Sequence, residues 1–488
     1  MHRNRPAAQL LLALSSLTLA TALPFALQAG EAARPIVRDI SSRREIFVDH
    51  WLIDNLDGAR LKLHHPTPRE VVLKFDKPWE GRFSAYVTVL KDADIYRMYY
   101  RGWRQLANAK KNELTCVAQS RDGITWTKPK LGLVEIDGSK DNNVFLCGEP
   151  RRVCHNFCPF LDTRPGVAPA ERYKAVGGLG GLLGYTSPDG IHWKRIRDKP
   201  IITKGAFDSQ NLAFWSPAEQ RYVSYFRIFY KGKRGVARAT SKDFLTWSDP
   251  VRMTYGDTPL EHLYTNQTHP YFNAPHIYIS LPGRIVFGRR LLTPAQIKAI
   301  DVHRSQISAC SDGVLLTTRG GSTYDRTFMQ SFIRPGPGIA HWTARSNYPA
   351  LGVVPTGPRE MSIYMRRSYA TPAAHMQRFT LRTDGFASVH APYKGGEMLT
   401  KPFTFTGKQL EINVATSAAG SIRIEIQDAN GKALPGYALA DCPEIFGDDL
   451  ARIVTWKAKG PDVAALAGKP IRLRVVLKDA DLYAIQFH

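Results

Sequence analysis

The hydrophobic and polar positions of this chain repeat one short pattern five times. In each copy an apolar strand ends in small polar residues and runs into an Asp, at Asp122, Asp189, Asp243, Asp312 and Asp384. Successive Asp residues are 67, 54, 69 and 72 positions apart, which suits a four-stranded sheet with its loops. Recurrence of one all-β unit at this period predicts a five-bladed β-propeller over residues 45–390.

The first three copies also share their turn residues. Asp122 and Asp189 are each followed by Gly, and a Trp stands four residues after the Asp in all three copies, at Trp126, Trp193 and Trp247. Asp-Gly between alternating strands is typical of a tight hairpin, because Gly readily adopts positive φ. These three copies are therefore the strongest evidence for equivalent hairpins.

The pattern differs at the two ends of the predicted propeller. An apolar strand is predicted over 45–53, and we expect it to complete the last blade and remove its open edge. From about residue 392 the Asp units stop, and apolar and polar residues alternate over 410–414, 421–426 and 471–477. Alternation with period two predicts strands with one buried face, so 392–488 is predicted to be a β-sandwich.

The first residues have the pattern of a targeting segment. Arg3 and Arg5 precede an apolar run over 10–22, and small residues follow up to Ala29. A basic start, a short apolar stretch and small residues predict a cleaved signal peptide over 1–29. No apolar stretch is long enough for a transmembrane span. We expect an exported protein, secreted or periplasmic, without a transmembrane segment.

The charge balance narrows the class of partner. The formal net charge is +23, and removal of residues 1–29 deletes two Arg and leaves +21. Such an excess attracts polyanions. The basic residues are scattered and form no nucleic-acid-binding motif, so we expect no nucleic acid and favour an anionic polysaccharide or an anionic envelope. A basic protein without any charged ligand is the alternative.

Six Cys residues are too few to cross-link a chain of this length. The segment 154–158 begins and ends with Cys and contains His155, which raises the question of a metal site. On a strand, Cys154 and Cys158 would share one face while His155 points to the other, and no second ligand pair has zinc spacing. We expect buried thiols here, with a disulfide as the alternative, and no metal or cofactor.

Candidate chemistry lies where the inner strands of a propeller begin, because these strands converge on the axis. Each predicted unit has polar, ionisable or aromatic side chains at that point, and these suit the hydroxyl edges and apolar faces of sugars. Arg345 has a planar fork that matches a carboxylate or a sulfate. The candidate saccharide-binding residues are Trp79, His155, Asn156, Gln210, His262, Tyr264, Arg345 and Glu360.

The Asp-Gly-x-x-Trp turns and the segments 207–211 and 214–217 resemble the five-bladed glycosidases of glycoside hydrolase families 43 and 32. The whole mature chain is similar to exported bacterial relatives of those families, with which it shares 47–49, 155–157 and the C-terminal region. The resemblance implies three acids on successive inner strands, serving as base or nucleophile, as orienting Asp and as general acid. The second unit has His155 and Asn156 where that pattern has an Asp.

The catalytic candidates are Asp208, Glu80 and Glu261, which begin or precede inner strands of different predicted units. We expect Asp208 to be central, with Glu80 and Glu261 approaching it from other units. The function predicted from the residues and the resemblance is a monomeric, exported glycoside hydrolase with paired carboxylates and a poly- or oligosaccharide substrate. The alternatives are a carbohydrate-binding propeller without catalysis and an envelope-adhesion protein.

Overall fold

The computed structural model describes residues 36–104 and 113–488, which are nearly all β. Among them, no helix has the length and apolar character needed to cross a membrane. The predicted signal peptide over 1–29 lies outside the described residues. The helical elements are α1 (Pro294–Ala299) and the 3-10 turns Pro150–His155, Pro169–Glu171, Arg304–Gln306, Ile339–His341, Leu439–Asp441 and Ala464–Leu466.

The described part of the chain begins with short strands that belong to two different sheets. The strands are β1 (Arg38–Ser41), β2 (Glu45–Ile46), β3 (Ile53–Asp57), β4 (Arg60–Leu63) and β5 (Thr67–Lys74). The first four join a ten-stranded sheet formed with the C-terminal strands, and β5 joins an eight-stranded sheet.

Three antiparallel units follow, each with four strands in sequence order. The first unit is β6 (Ala85–Asp92), β7 (Ile95–Trp103), β8 (Glu113–Ser120) and β9 (Val144–Cys147). The second is β10 (Cys158–Leu161), β11 (Tyr173–Gly177), β12 (Leu183–Ser187) and β13 (Lys194–Arg195). The third is β14 (Leu212–Ser216), β15 (Arg221–Tyr230), β16 (Lys233–Ser241) and β17 (Val251–Arg252).

The next strands are less regular. Here β18 (His269–Tyr271), β19 (Ala274–Ser280) and β22 (Leu316–Thr318) form one sheet, and β20 (Gly283–Phe287) and β21 (Ala309–Gly313) form another. They are followed by β23 (Tyr348–Pro355), β24 (Glu360–Arg367) and β25 (His375–Arg382). The eight-stranded sheet has the order β5-β25-β24-β23-β6-β7-β8-β9, and its two halves meet where β23 runs parallel to β6 at Leu351 and Thr88.

The strand beside β25 is β5, whereas the prediction placed residues 45–53 there. Glu45 and Ile46 instead pair with the C-terminal strand over Ile471–Phe487. The buried carboxylate of Glu45 explains this placement, because Arg319 and His276 bind it. A buried carboxylate requires such partners.

The C-terminal region provides the remaining strands of the ten-stranded sheet: β26 (Ala387–Ala391), β27 (Gly396–Thr400), β28 (Phe403–Phe405), β29 (Leu410–Asp428), β30 (Asp448–Ile453) and β31 (Ile471–Phe487). The long strands β29 and β31 pair with each other over most of their length. Along the first half of β31 buried and half-exposed residues alternate, as the sequence pattern predicted. Ile424, Leu473 and Val475 are fully buried in the core of this sheet.

The first three Asp turns are built alike. In the first, Oδ1 of Asp122 accepts hydrogen bonds from the backbone N–H groups of Ile124 and Thr125, at 2.7 Å each. The Nε1 atom of Trp126 donates to the carbonyl of Gly123 at 3.0 Å. The same bonds recur at Asp189 and at Asp243. These three copies of the sequence pattern are therefore equivalent turns.

The two weaker copies are different from these turns. Asp312 lies inside β21 and forms a two-pronged ion pair with Arg284. Asp384 lies in the connection between β25 and β26, is fully buried, and binds Arg44 and Tyr271. Their carboxylates are occupied by side chains from other parts of the chain, so they do not cap a hairpin.

Candidate functional site

A cavity of about 270 Å³ opens where several of these units meet. Its walls come from β6, β7, β23 and β24 and from the segments that lead into β10, β14 and β18. The side chains around it are Phe83, Ala85, Tyr86, Arg101, Trp103, His155, Asp208, Tyr264, Ser305, Gln306, Arg345, Tyr348, Arg366 and Tyr369.

His155 lies between two carboxylates at this cavity. Its Nδ1 atom is 2.6 Å from Oε1 of Glu113, and its Nε2 atom is 3.0 Å from Oδ1 of Asp208. Glu113 is buried and also binds Arg152, whereas 61% of the Asp208 side chain is exposed. The Nη1 atom of Arg101 also lies 3.1 Å from Nδ1 of His155. Glu113, His155 and Asp208 thus form a chain that ends at the cavity.

Both carboxylates of this chain favour the ionised form. Burial alone would raise the pKa of Asp208, but the hydrogen bond from His155 and the charges of Arg227 and Arg345 outweigh burial and lower it. Burial also opposes ionisation of Glu113, and the bonds from His155 and Arg152 hold its pKa below the ordinary value. At neutral pH Asp208 is therefore suited to accept a proton or to attack, and not to donate.

Three arginines at the cavity, Arg101, Arg345 and Arg366, form no ion pair with a carboxylate of the described chain. Arg101 donates to the carbonyl of Phe83, and Arg366 donates to that of Arg345. The buried Nε atoms of all three arginines, and the buried hydroxyl of Tyr348, have no hydrogen-bond partner among the described residues. The guanidinium groups themselves line the cavity, and their positive charge fits an oxygen-rich anion.

The energetic cost of burying an arginine without a carboxylate partner is clearest at Arg366, which is 4% exposed. Burial lowers the pKa of its guanidinium to about 10. Its carbon Cζ lies 3.8 Å from the ring centroid of Tyr369 and 5.4 Å from that of Tyr348. The aromatic faces stabilise the cation, and its Nη2 atom donates to the carbonyl of Arg345. The charge of Arg366 therefore remains available to an anion.

Aromatic rings form the rest of the wall. Arg345 lies over the ring of Tyr264 at 4.9 Å, and Arg101 lies over the ring of Tyr86 at 4.9 Å. The backbone of Tyr86 has φ 53°, in the left-handed region that an aromatic residue rarely adopts. Such strain persists where the surrounding structure enforces it, and here it holds the ring at the cavity.

Of the predicted site residues, the structure brings His155, Asp208, Tyr264 and Arg345 together at the cavity. His262 does not line the cavity. Its carbonyl accepts a hydrogen bond from Ile285 of β20, the N–H of Leu263 donates to Arg234 of β16, and its ring packs against Phe287 at 5.0 Å.

The other two catalytic candidates do not line the cavity. Glu80 is 1% exposed, and its carboxylate binds Lys128 at 2.6 Å and the hydroxyl of Tyr100. Glu261 is held by Arg284 and Arg326 at 2.7 Å each. These pairings occupy both carboxylates, and neither Glu80 nor Glu261 stands beside Asp208 in the cavity lining.

The remaining candidates brace the fold. Asn156 is fully buried and donates to the carbonyls of residues 207 and 209, which fixes the segment that carries Asp208. Gln210 is fully buried and donates to the carbonyl of Val87 on β6. Trp79 donates to the side chain of Asn143, and Glu360 pairs with Arg378.

The Cys-rich segment is not a strand at His155, which ends the 3-10 turn Pro150–His155. Cys154 and Cys158 are buried, and burial raises the pKa of both thiols, to about 12 for Cys154 and about 11 for Cys158. All six cysteines are unpaired. Within the described residues, no group of three His, Cys, Asp or Glu side chains is placed to hold a metal ion.

Several residues of the site did not stand out in the sequence. Glu113 begins β8, Arg101 lies near the end of β7, and Arg366 and Tyr369 lie at and after the end of β24. The sequence signal that could have identified these residues is a charged side chain at the end of an otherwise apolar strand. The run 361–365 is fully buried and apolar but for one Ser, and two arginines follow it directly. A cationic side chain at such a buried position needs a binding partner, since burial of an unpaired cation is costly.

No family model matches the chain, and no curated protein matches it in sequence. Solved structures resemble it distantly. An N-acetylgalactosamine deacetylase from F. plautii, in complex with blood group B trisaccharide, has 12% identity and a TM-score of 0.45 over 67% of this chain and 96% of its own.

Two further structures are a glycosyl hydrolase from Bacteroides ovatus, with 11% identity, and a member of the GH130 family of mannoside phosphorylases, with 12%. Each has a TM-score of 0.38 and covers 69% of this chain and 96% of its own. All three neighbours are carbohydrate-acting proteins. Similarities this distant assign neither an activity nor a substrate to this chain.

Proposed function

We propose that this protein is a glycoside hydrolase that cleaves an anionic poly- or oligosaccharide in the cavity at Asp208. The observation that carries the proposal is the position of Asp208. Its carboxylate is ionised and exposed to the cavity, is fixed by His155, and lies among aromatic rings and unpaired arginines. Sugars offer hydroxyls and C–H faces to such walls, and an acidic substituent matches the arginines.

Asp208 is assigned the role of base or nucleophile. An ionised carboxylate removes a proton from the attacking water or attacks the anomeric carbon itself. Its hydrogen bond to His155 fixes the direction of its lone pairs, and Glu113 fixes His155 in turn. Glu113 is assigned a positioning role, because His155 and Arg152 occupy its carboxylate.

A second candidate function is carbohydrate binding without catalysis. One observation favours it: among the described side chains that line the cavity, Asp208 is the only carboxylate. A binding protein would use the same arginines and rings for an anionic glycan and release no sugar. The two functions differ in one measurable property, which is the appearance of new reducing ends.

The architecture proposed around this site is a closed five-bladed propeller followed by a β-sandwich. Its support is the series of antiparallel units, the addition of β5 to β25, and the parallel contact of β23 with β6. Export through the predicted signal peptide and action as a monomer complete the proposal.

The test is a hydrolysis screen of the mature protein against poly- and oligosaccharides, including uronate-containing and sulfated ones. We expect new reducing ends from an anionic glycan, and a KM that rises with salt. Asp208→Asn should lower kcat by roughly 10²–10⁴-fold. The matched control is Asp198→Asn, whose side chain is 89% exposed and lies outside the cavity lining. Binding of an anionic glycan without cleavage would instead identify the binding protein.

A further inference from the structure

Among the described side chains that line the cavity, no carboxylic acid is free for the second proton transfer that glycoside hydrolysis requires. One group must accept a proton or attack, and another must protonate the departing oxygen. Asp208 suits the first task because it is ionised. Glu113 is buried behind His155, and Arg152 and His155 bind its carboxylate. The proton donor must therefore be a group other than a free carboxylic acid.

Tyr369 has the contacts that such a donor needs. It lines the cavity and is 5% exposed. Its hydroxyl oxygen accepts a hydrogen bond from Nη2 of Arg101 at 3.5 Å, and the hydroxyl donates to no group of the described chain. The guanidinium carbon of Arg366 lies 3.8 Å from its ring centroid. The phenolic proton is thus free for a ligand, and two cations adjoin the oxygen and ring that would carry the resulting charge.

The backbone around Tyr369 is strained in a way that fixes its position. Ser368 has φ 52° and Ala370 has φ 63°, so non-glycine residues on both sides adopt the left-handed region. The N–H of Ala370 donates to the carbonyl of Arg82, and the carbonyl of Ala370 accepts from the N–H of His303. Strain of this kind concentrates at functional sites, because folding alone would favour its removal.

The charged groups that face Tyr369 shift its pKa in the opposite direction from that of Tyr86, another tyrosine at the cavity. Burial raises the pKa of Tyr86 well above the ordinary value. Burial acts on Tyr369 in the same direction, but Arg101 of β7, Arg366 of β24 and Arg345 outweigh it and lower its pKa below the ordinary value. These arginines stabilise the phenolate, which makes the phenol a stronger acid.

We propose that Tyr369 is the general acid of this site, with Asp208 as the general base; this rests on the proposed function. Asp208 takes a proton from water, whose oxygen bonds to the anomeric carbon. The bond from that carbon to the departing oxygen breaks, and this oxygen takes the Tyr369 proton. Asp208 then releases its proton to solvent and the phenolate regains one. One glycoside and one water give two hydroxyl products, so no other reactant is required.

The test compares leaving groups in Tyr369→Phe and the unchanged protein. The probes are methyl and 2,4-dinitrophenyl uronides, whose departing oxygens respectively do and do not need protonation. We expect Tyr369→Phe to lower kcat/KM for the methyl uronide by roughly 10²–10⁴-fold and to leave the dinitrophenyl uronide within about tenfold. The control is Tyr393→Phe, a tyrosine that is 65% exposed and lies outside the cavity lining.

An ultraviolet titration of tyrosinate supplies a readout apart from turnover. One tyrosine should ionise below the ordinary range in the unchanged protein, and this step should be absent from Tyr369→Phe. Equal losses on both uronides, an unsaturated uronide product, or an unchanged titration would each overturn the role of Tyr369. If the unchanged protein cleaves neither uronide nor any glycan of the screen, the proposed hydrolase fails, and this inference fails with it.

Discussion

The Nε2 atom of His155 lies 3.0 Å from Oδ1 of Asp208, although 53 residues separate them in sequence. His155 precedes β10 and Asp208 precedes β14, while the other partner of His155, Glu113, is on β8. The contact therefore joins three successive units. Small shifts between these units would change the direction of the Asp208 carboxylate.

Glu113→Gln tests the positioning role of Glu113. The substitution keeps the size of the side chain but removes the charge that holds His155 and Arg152. We expect kcat to fall by at least about tenfold, with little change in KM, because Asp208 loses its fixed partner while the binding groups remain. Steady-state kinetics check this. Glu444→Gln is the control, since its side chain is 56% exposed. A raised KM with unchanged kcat would place Glu113 in substrate binding.

Arg366→Met tests whether the unpaired arginine is kept at a cost in stability. A base whose pKa in the fold lies below its ordinary value is charged less favourably there than in the unfolded chain. At neutral pH, replacing it with an apolar side chain should raise the free energy of unfolding by about 1 kcal/mol while weakening anion binding. Urea unfolding and titration with galacturonate measure the two effects.

Arg326→Met is the matched comparison for Arg366. Arg326 is also buried, but its guanidinium pairs with Glu261 at 2.7 Å. Its removal should lower the free energy of unfolding by roughly 1–3 kcal/mol, because charge-assisted bonds are lost. If Arg366→Met destabilises the fold as much as Arg326→Met does, Arg366 serves the structure and its lack of a partner has no cost.

The Asp turns predict a loss of stability in acid. Burial would raise the pKa of Asp122 and of Asp243, but bonds from backbone N–H groups outweigh it and hold both at about 2. Their stabilising effect is complete above the ordinary Asp pKa and is lost as the pH falls toward about 2. Asp243→Ala should cost about 1 kcal/mol at neutral pH, as for a helix cap, and should lessen the acid loss. Urea unfolding from pH 7 to pH 2 measures this, with Asp198→Ala as control.

Gly352→Ala tests the junction between β23 and β6. Gly352 has φ 112°, and a Cβ atom there would run into the carbonyl oxygen of Val89. We expect a loss of roughly 1–3 kcal/mol from backbone strain, with the clash in addition. Thermal unfolding measures it. The control is Gly132→Ala, because Gly132 also has positive φ but has open space around it. Equal effects of the two substitutions would show that the β23–β6 contact is dispensable.

The parts of the fold that could be predicted depend on local patterns. Asp122, Asp189 and Asp243 bind backbone groups two and three residues ahead, so nearby sequence contains all the information. Alternation along β31 likewise identified its buried face. The strand beside β25 could not be predicted this way, because Thr67–Lys74 and residues 45–53 are both plausible strands. The strands with which these two segments pair are hundreds of residues away in sequence.

The same limit applies to the site. Asp208 could be found, because it stands in a short polar run at the predicted start of a strand. Glu80 and Glu261 stand in similar places, but their distant partners Lys128 and Arg326 hold them away from the cavity. Tyr369 did not stand out in the sequence, since two of the arginines that lower its pKa, Arg101 and Arg345, are distant from it along the chain.

The ten-stranded sheet joins β1 to β4 with strands from the other end of the described chain, and residues 64–386 lie between the two groups. During synthesis β1 to β4 leave the ribosome long before β26, β27, β28 and β31, with which they pair. Those early strands keep open edges for nearly the whole of translation and are exposed to wrong partners during that time. A chain with this topology benefits from a factor that binds the early strands until their partners have been made.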